Sequence, residues 1–186
     1  MIPNDNPPTI ADALAQAVQW LTSGQTDQGR ALLAALIEAH PDVAEVHLLI
    51  AAELAEDRDW EGADAAFRRA TELAPDLLVA RFQWGLLAHS RGELAKAREI
   101  LAPLQHAEDA SLAGYARALI HDAEGQGGAA RAALAQALEA PQSIPALAND
   151  MHRLMEQWNA ASDTSPTGPV ADPLAARAFL DAYGKH

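Results

Sequence analysis

Seven histidines are the residues best able to bring chemistry to this chain: His40, His47, His89, His106, His121, His152 and His186. A zinc or other metal centre needs their imidazoles, or carboxylates, to converge at close spacing, as in HExxH. None of the seven makes that pairing, and the neighbours His121 and Asp122 diverge on a helix. Surface histidines are the simpler reading, and no metal is expected. The glycine-rich "EGQGGAA" has no strand before it and no P-loop lysine after it, so it reads as a helix–helix turn. Ser and Thr fall mainly in turns and linkers, outside any nucleophile-elbow sequence. Neighbouring carboxylates such as Glu56 and Asp57 read as solvated charge. No residue set supports an enzyme, and no cofactor is expected.

The elements that would position such side chains are clearer than the chemistry. Small residues at Gly29, Ala63, Ala97 and Ala130 are each followed four positions on by Leu33, Phe67, Leu101 and Leu134. Three further come Leu36, Ala70, Leu104 and Ala137, and each series steps by 34, 34 and 33. A small residue lets two helices approach, and the bulky one a turn later fills the gap on the same face. Gly24, Gly92 and Gly125 are placed to end first helices in a left-handed conformation. Pro41 and Pro75, 34 apart, stop second helices. Each pair leaves an apolar face that only the next can cover, so the units must stack.

The stretches "SGQTDQGRALLAALIEAHPD", "DRDWEGADAAFRRATELAPD", "SRGELAKAREILAPL" and "EGQGGAARAALAQALEAP" carry this period. On them, the chain resembles the tetratricopeptide repeat (TPR) family over residues 10–141. The resemblance implies an all-α, right-handed α-solenoid of about four TPR-like helix–turn–helix repeats, with units near 10–43, 44–77, 78–110 and 111–142. Departures from the pattern carry their own expectations. Arg58 replaces the turn glycine, so that turn should be strained or differently shaped; Pro103 should kink or shorten its helix, and Asp109 replaces the terminal proline. The first-helix positions Ala13, His47, Arg81 and Gly114 are irregular, so the later units should pack less regularly.

Flanking segments complete the expected organisation. Residues 1–9 read as a loose leader, without the basic and apolar regions of a signal peptide. In 143–161, Ile144, Leu147, Met151, Leu154, Met155 and Trp158 fit one helical face. That face would cap the stack, or offer a methionine-rich surface to a partner. Residues 162–172 read as a flexible linker, and 173–186 as a short C-terminal helix that docks on the body or on a partner.

The resemblance also implies that first helices line a concave face. Rows at Leu14, Leu48, Phe82 and Tyr115, and at Val18, Ala52, Leu86 and Leu119, would then form an apolar groove beside His89, suited to an apolar or amphipathic protein segment. On that expectation, glutamates at Phe82 and Tyr115 abolish partner capture while helicity stays intact. The family's chaperone-tail clamp of Lys, Asn and Arg is absent, because Leu14, Val18, Leu48 and Ala52 stand at the aligned positions.

Composition sets outer limits. The 186 residues carry a formal charge of −13, which disfavours nucleic acid and favours basic or apolar partners. Aromatics are only 5% against 49% hydrophobic residues in all, so alanine supplies much of the apolar content, as suits closely packed helices. No cysteine is present, which fits a reducing cytoplasm, and no apolar run suggests membrane insertion. The alanine- and arginine-rich, lysine-poor composition points to a bacterial source. Together these readings describe a non-enzymatic adaptor or scaffold. The alternatives are a secretion-type chaperone holding an unfolded cargo segment, a noncatalytic accessory subunit, and a homodimer.

Overall fold

A computed structural model describes residues 9–163. Among them the chain forms α1 (Ile10–Thr22), α2 (Thr26–Ala39), α3 (Ala44–Glu56), α4 (Trp60–Leu73), α5 (Leu78–Ser90), α6 (Leu94–Leu101), a 3-10 turn (Ala102–His106), α7 (Ala110–Ala123), α8 (Gly127–Glu139) and α9 (Pro145–Asp163). No strand occurs among the described residues, so the fold is all-α. The expected leader (apart from Thr9) and C-terminal helix lie outside the described residues. So does the expected linker, apart from its first two residues, which belong to α9.

Helices pack in chain order. α1 lies on α2, α3 on α4, α5 on α6 and α7 on α8; α2 meets α3, α4 meets α5, α6 meets α7 and α8 meets α9. The spacing of small and bulky residues explains the pairing. The small series Gly29, Ala63, Ala97 and Ala130 is buried, as are the bulky series Leu33, Phe67, Leu101 and Leu134 and the third series Leu36, Ala70, Leu104 and Ala137. The closest approaches use glycine. A Cβ added at Gly85 would sit 2.4 Å from Leu101 Cγ, and one at Gly114 would sit 2.5 Å from Ala137 Cβ. The glycine at the irregular position 114 thus brings α7 and α8 closer than any larger side chain would allow.

The core divides into two main clusters that share one helix. The first runs through α1 to α4 and takes Ala80 and Leu87 from α5. The second takes Phe82 and Leu86 from the other side of α5 and continues through α7 and α8 to Leu147 and Met151 of α9. α9 therefore covers the apolar face that α7 and α8 leave open.

Four turns of one design link the paired helices. The amides of Gly24, Arg58, Gly92 and Gly125 donate to carbonyls three residues back, at Leu21, Ala55, His89 and Asp122. The next amides, of Gln25, Asp59, Glu93 and Gln126, reach five back, to Trp20, Leu54, Ala88 and His121, over 2.8–2.9 Å. These bonds satisfy the last carbonyls of each first helix. The φ angles are 84°, 62°, 73° and 74°, so Arg58 adopts the geometry of its glycine counterparts despite its Cβ. The turn keeps its shape and bears the strain. Arg58→Gly removes a left-handed penalty of about 1–2 kcal/mol but adds about 0.5–1 kcal/mol of chain entropy to the unfolded state. A net gain of between zero and about 1.5 kcal/mol is expected, read as a higher urea midpoint with an unchanged m-value. A lower midpoint would show that Arg58 makes a compensating contact.

The third pair carries the effect of Pro103. α6 stops at Leu101 after eight residues, and the chain continues as the 3-10 turn, with Leu104 still buried. Asp109, in the place of a terminal proline, caps α7: its Oδ1 accepts the Leu112 amide at 3.0 Å and the Ser111 hydroxyl at 2.6 Å. Ser143, just before α9, donates to the other carboxylate oxygen. Burial pushes the Asp109 carboxyl up, but these hydrogen bonds outweigh it and hold it below its ordinary value.

Candidate functional site

The two apolar rows expected to line a groove lie inside the protein. Leu14, Val18, Leu48 and Ala52 belong to the first core cluster, and Phe82, Leu86, Tyr115 and Leu119 to the second. Leu48, Ala52, Phe82 and Leu119 have no exposed surface at all. The expectation of an exposed apolar groove along these rows is therefore corrected. The physical reason is contact between successive first helices: α1 touches α3 and α5 touches α7, so side chains that would face an open groove are enclosed in the two core clusters.

Polar groups next to these rows tie the helices together. Phe82 and Tyr115 have ring centroids 6.3 Å apart with planes tilted by 52°, a geometry that adds to simple burial. The Tyr115 hydroxyl donates to Gln142 Oε1 at 2.5 Å, and Gln142 Nε2 donates to the carbonyls of Ala137 and Ala140 at 2.9 and 2.7 Å. Burial raises the Tyr115 pKa to about 12, although its bond to Gln142 works in the opposite direction. The phenol is thus a neutral clasp between α7 and the end of α8.

His89, the ninth residue of the expected groove, is half-buried, and its Nε2 lies 2.8 Å from Asp122 Oδ2, joining α5 to α7. Of the polar residues beside the rows, Glu45 and Ser90 are half-buried and Glu56 is exposed. Gln83 is buried, and its Oε1 has no hydrogen-bond partner among the described residues.

Other histidines likewise have local roles. His47 Nε2 lies 2.9 Å from the Pro41 carbonyl, and His121 Nδ1 lies 2.8 Å from Gln126 Oε1. Among the described residues no three His, Asp or Glu side chains are grouped as a metal centre would require. No described helix is long and apolar enough to cross a membrane.

Charged and aromatic side chains meet where successive pairs join. Arg30 of α2 reaches Glu53 at 3.0 Å and Asp57 at 2.7 Å, at the end of α3. Arg98 of α6 reaches Glu124 at 3.3 Å, just beyond α7. Between these two junctions, α4 meets α5 and α6 through Trp60, Asp64, Trp84, Arg91, Glu93 and Lys96. Asp64 Oδ1 accepts the Trp84 indole N–H at 2.6 Å and the Lys96 ammonium. Burial pushes the Asp64 carboxyl up, yet these two donors hold it below its ordinary value. Arg91 lies over the Trp60 ring, 5.5 Å from its centroid, and its Nε donates to Glu93 at 2.7 Å.

No sequence motif marks this cluster, although its positions carry a periodic signal. Arg30, Asp64, Arg98 and Arg131 occupy one series with steps of 34, 34 and 33, and Asp57, Arg91 and Glu124 occupy another. The sign of the charge is exchanged in both series at the same junction. Comparison with protein-family models and with curated proteins finds no match for the chain.

Proposed function

We propose that the chain is a non-enzymatic protein-interaction adaptor or scaffold of the tetratricopeptide-repeat kind, working in the cytoplasm. In this reading, residues 10–141 form a right-handed solenoid of about four units, and the helix expected at 143–161 caps it. The observation that carries the reading is the chain-order packing of helix pairs, with equivalent buried residues recurring at steps of 34, 34 and 33. Such stacks offer long surfaces built from side chains of successive units, which suits recognition of another protein. Because the inner rows are committed to the core, the partner surface is drawn from the exposed junctions between pairs. The charge of −13 favours a basic partner there.

The test is capture from a lysate of the native source, followed by reconstitution from purified components and calorimetry. The expected result is a defined partner that binds at fixed stoichiometry and stays folded alone. A partner that is insoluble without this chain would replace the adaptor with a holding chaperone. Failure of every captured protein to reconstitute would remove the adaptor reading.

A further inference from the structure

The charge-exchanged junction between α4 and α5–α6 has an unusual consequence. At the junctions before and after it, an arginine on a second helix pairs forward with an acid at the end of the next first helix. Here Asp64 holds the arginine's place and Arg91 the acid's, and each is engaged elsewhere. Asp64 takes Trp84 and Lys96, while Arg91 takes Trp60 and Glu93. Between them lies a cleft of about 350 Å³ whose charged and aromatic lining is Trp60, Glu61, Asp64, Arg68, Arg91, Glu93 and Lys96. That volume is within the range of small-ligand clefts. A cleft of about 330 Å³ also exists at the next junction, beside Arg98 and Glu124, but no aromatic side chain lines it.

We propose that the Trp60 cleft binds an arginine side chain of a basic protein segment, its guanidinium stacking on Trp60 where Arg91 now lies and pairing with Glu61 and Asp64. Arg91 is the internal stand-in. It shows that a guanidinium fits over this indole with a carboxylate, Glu93, beside it. Arg91 is exposed, and a cation–π contact at an exposed site is weak enough for an incoming guanidinium to displace. Acceptors remain for the newcomer. Glu61 is exposed on the wall, and the Trp84 and Lys96 bonds both fall on Oδ1 of Asp64, leaving Oδ2 to accept. The chain's net charge draws a basic segment inward. An anion would have to compete with Asp64 and Glu93 for Lys96, with Glu93 for Arg91, and with the attraction of Asp64 for Arg68 on the same wall.

This inference names the partner's chemistry and rests on the adaptor reading for its biological role, but its test is direct. The full chain, labelled with 15N, is titrated with an acetylated Gly-Arg-Gly-Arg-Gly amide while the indole N–H signals of Trp60 and Trp84 are followed by NMR. The expected result is a saturable shift of both signals. The peptide with citrulline in place of arginine should bind at least tenfold more weakly. Arg91→Ala, an exposed change, should tighten binding severalfold by vacating the ring, and Glu61→Gln with Asp64→Asn should weaken it at least tenfold. No shift up to millimolar peptide overturns the proposal. So does unchanged or weaker binding to Arg91→Ala, or a Trp60→Leu protein of normal helicity that binds as the wild type does. Shifts produced instead by an acetylated Gly-Glu-Gly-Glu-Gly amide would make the cleft an anion site and overturn it too. If arginine fails to bind while a reconstituted partner does bind, the adaptor reading stands without this cleft. If arginine binds but no protein partner reconstitutes, the cleft stands and the adaptor reading falls.

Discussion

Phe82→Glu is expected to unfold the protein rather than silence a binding surface. Phe82 is fully enclosed, packed in the second core cluster beside Tyr115. A glutamate there either buries an unpaired carboxylate or takes up a proton and remains a poorly matched polar group. It also forfeits the packing of an aromatic ring. Truncating a buried phenylalanine alone costs about 3–5 kcal/mol, and the buried charge adds to that. A typical domain has only about 5–15 kcal/mol of stability in all. Loss of cooperative unfolding and of most helicity is the expected outcome by circular dichroism, with the same trend for Tyr115→Glu. Phe82→Leu keeps the site apolar and should fall within the usual range of about 0.5–3 kcal/mol. A Phe82→Glu protein with the wild-type urea midpoint would show that position 82 faces solvent, and would restore the groove expected from the sequence.

That reversal marks where the sequence is legible. Helix identity is written locally. Asp59 and Asp109 cap α4 and α7 through the amides of Gly62 and Leu112, and a left-handed residue ends each first helix. Small and bulky residues a turn apart specify which faces meet, and Pro103 announces the early end of α6. Burial of the inner rows is not local. An apolar row repeated on successive helices reads equally as a groove or as a seam. The choice depends on how closely the helices approach, and distances of tenths of an ångström decide it. Gly29, Gly85 and Gly114 show the scale, since an added Cβ would lie 2.4–2.6 Å from a neighbouring side-chain carbon. The Trp60 cleft was hidden for a different reason. Its residues come from α4, α5, α6 and the turn that joins α5 to α6, and none makes a recognisable motif with its sequence neighbours. Only comparison of equivalent positions shows the exchange at Asp64 and Arg91.

Phe67→Ala should produce the largest loss among simple truncations in the first core cluster, about 3–5 kcal/mol. The ring is almost wholly enclosed, on the same helix as buried Ala63 and Ala70 and in one cluster with Leu33, Leu36 and Leu49. Its neighbours are held by helix backbones on both sides, so they can close only part of the space left behind. For a chain of this length, each kcal/mol lowers the melting temperature by about 2–4 °C, which predicts a fall of roughly 6–20 °C. How that loss spreads tests the architecture. α5 contributes Ala80 and Leu87 to the first cluster and Phe82 and Leu86 to the second, so it is the element that couples the two halves. If it couples them strongly, Phe67→Ala keeps one transition, and amide exchange accelerates in α7 and α8 as much as in α3 and α4. If packing is nearest-neighbour in character, faster exchange is concentrated in α1 to α4, while α7 to α9 keep their protection. The continuous helix α5, packed on both clusters, favours the single transition. Two resolved melting steps would refute that coupling, and a loss under about 1 kcal/mol would refute the placement of Phe67 in the core.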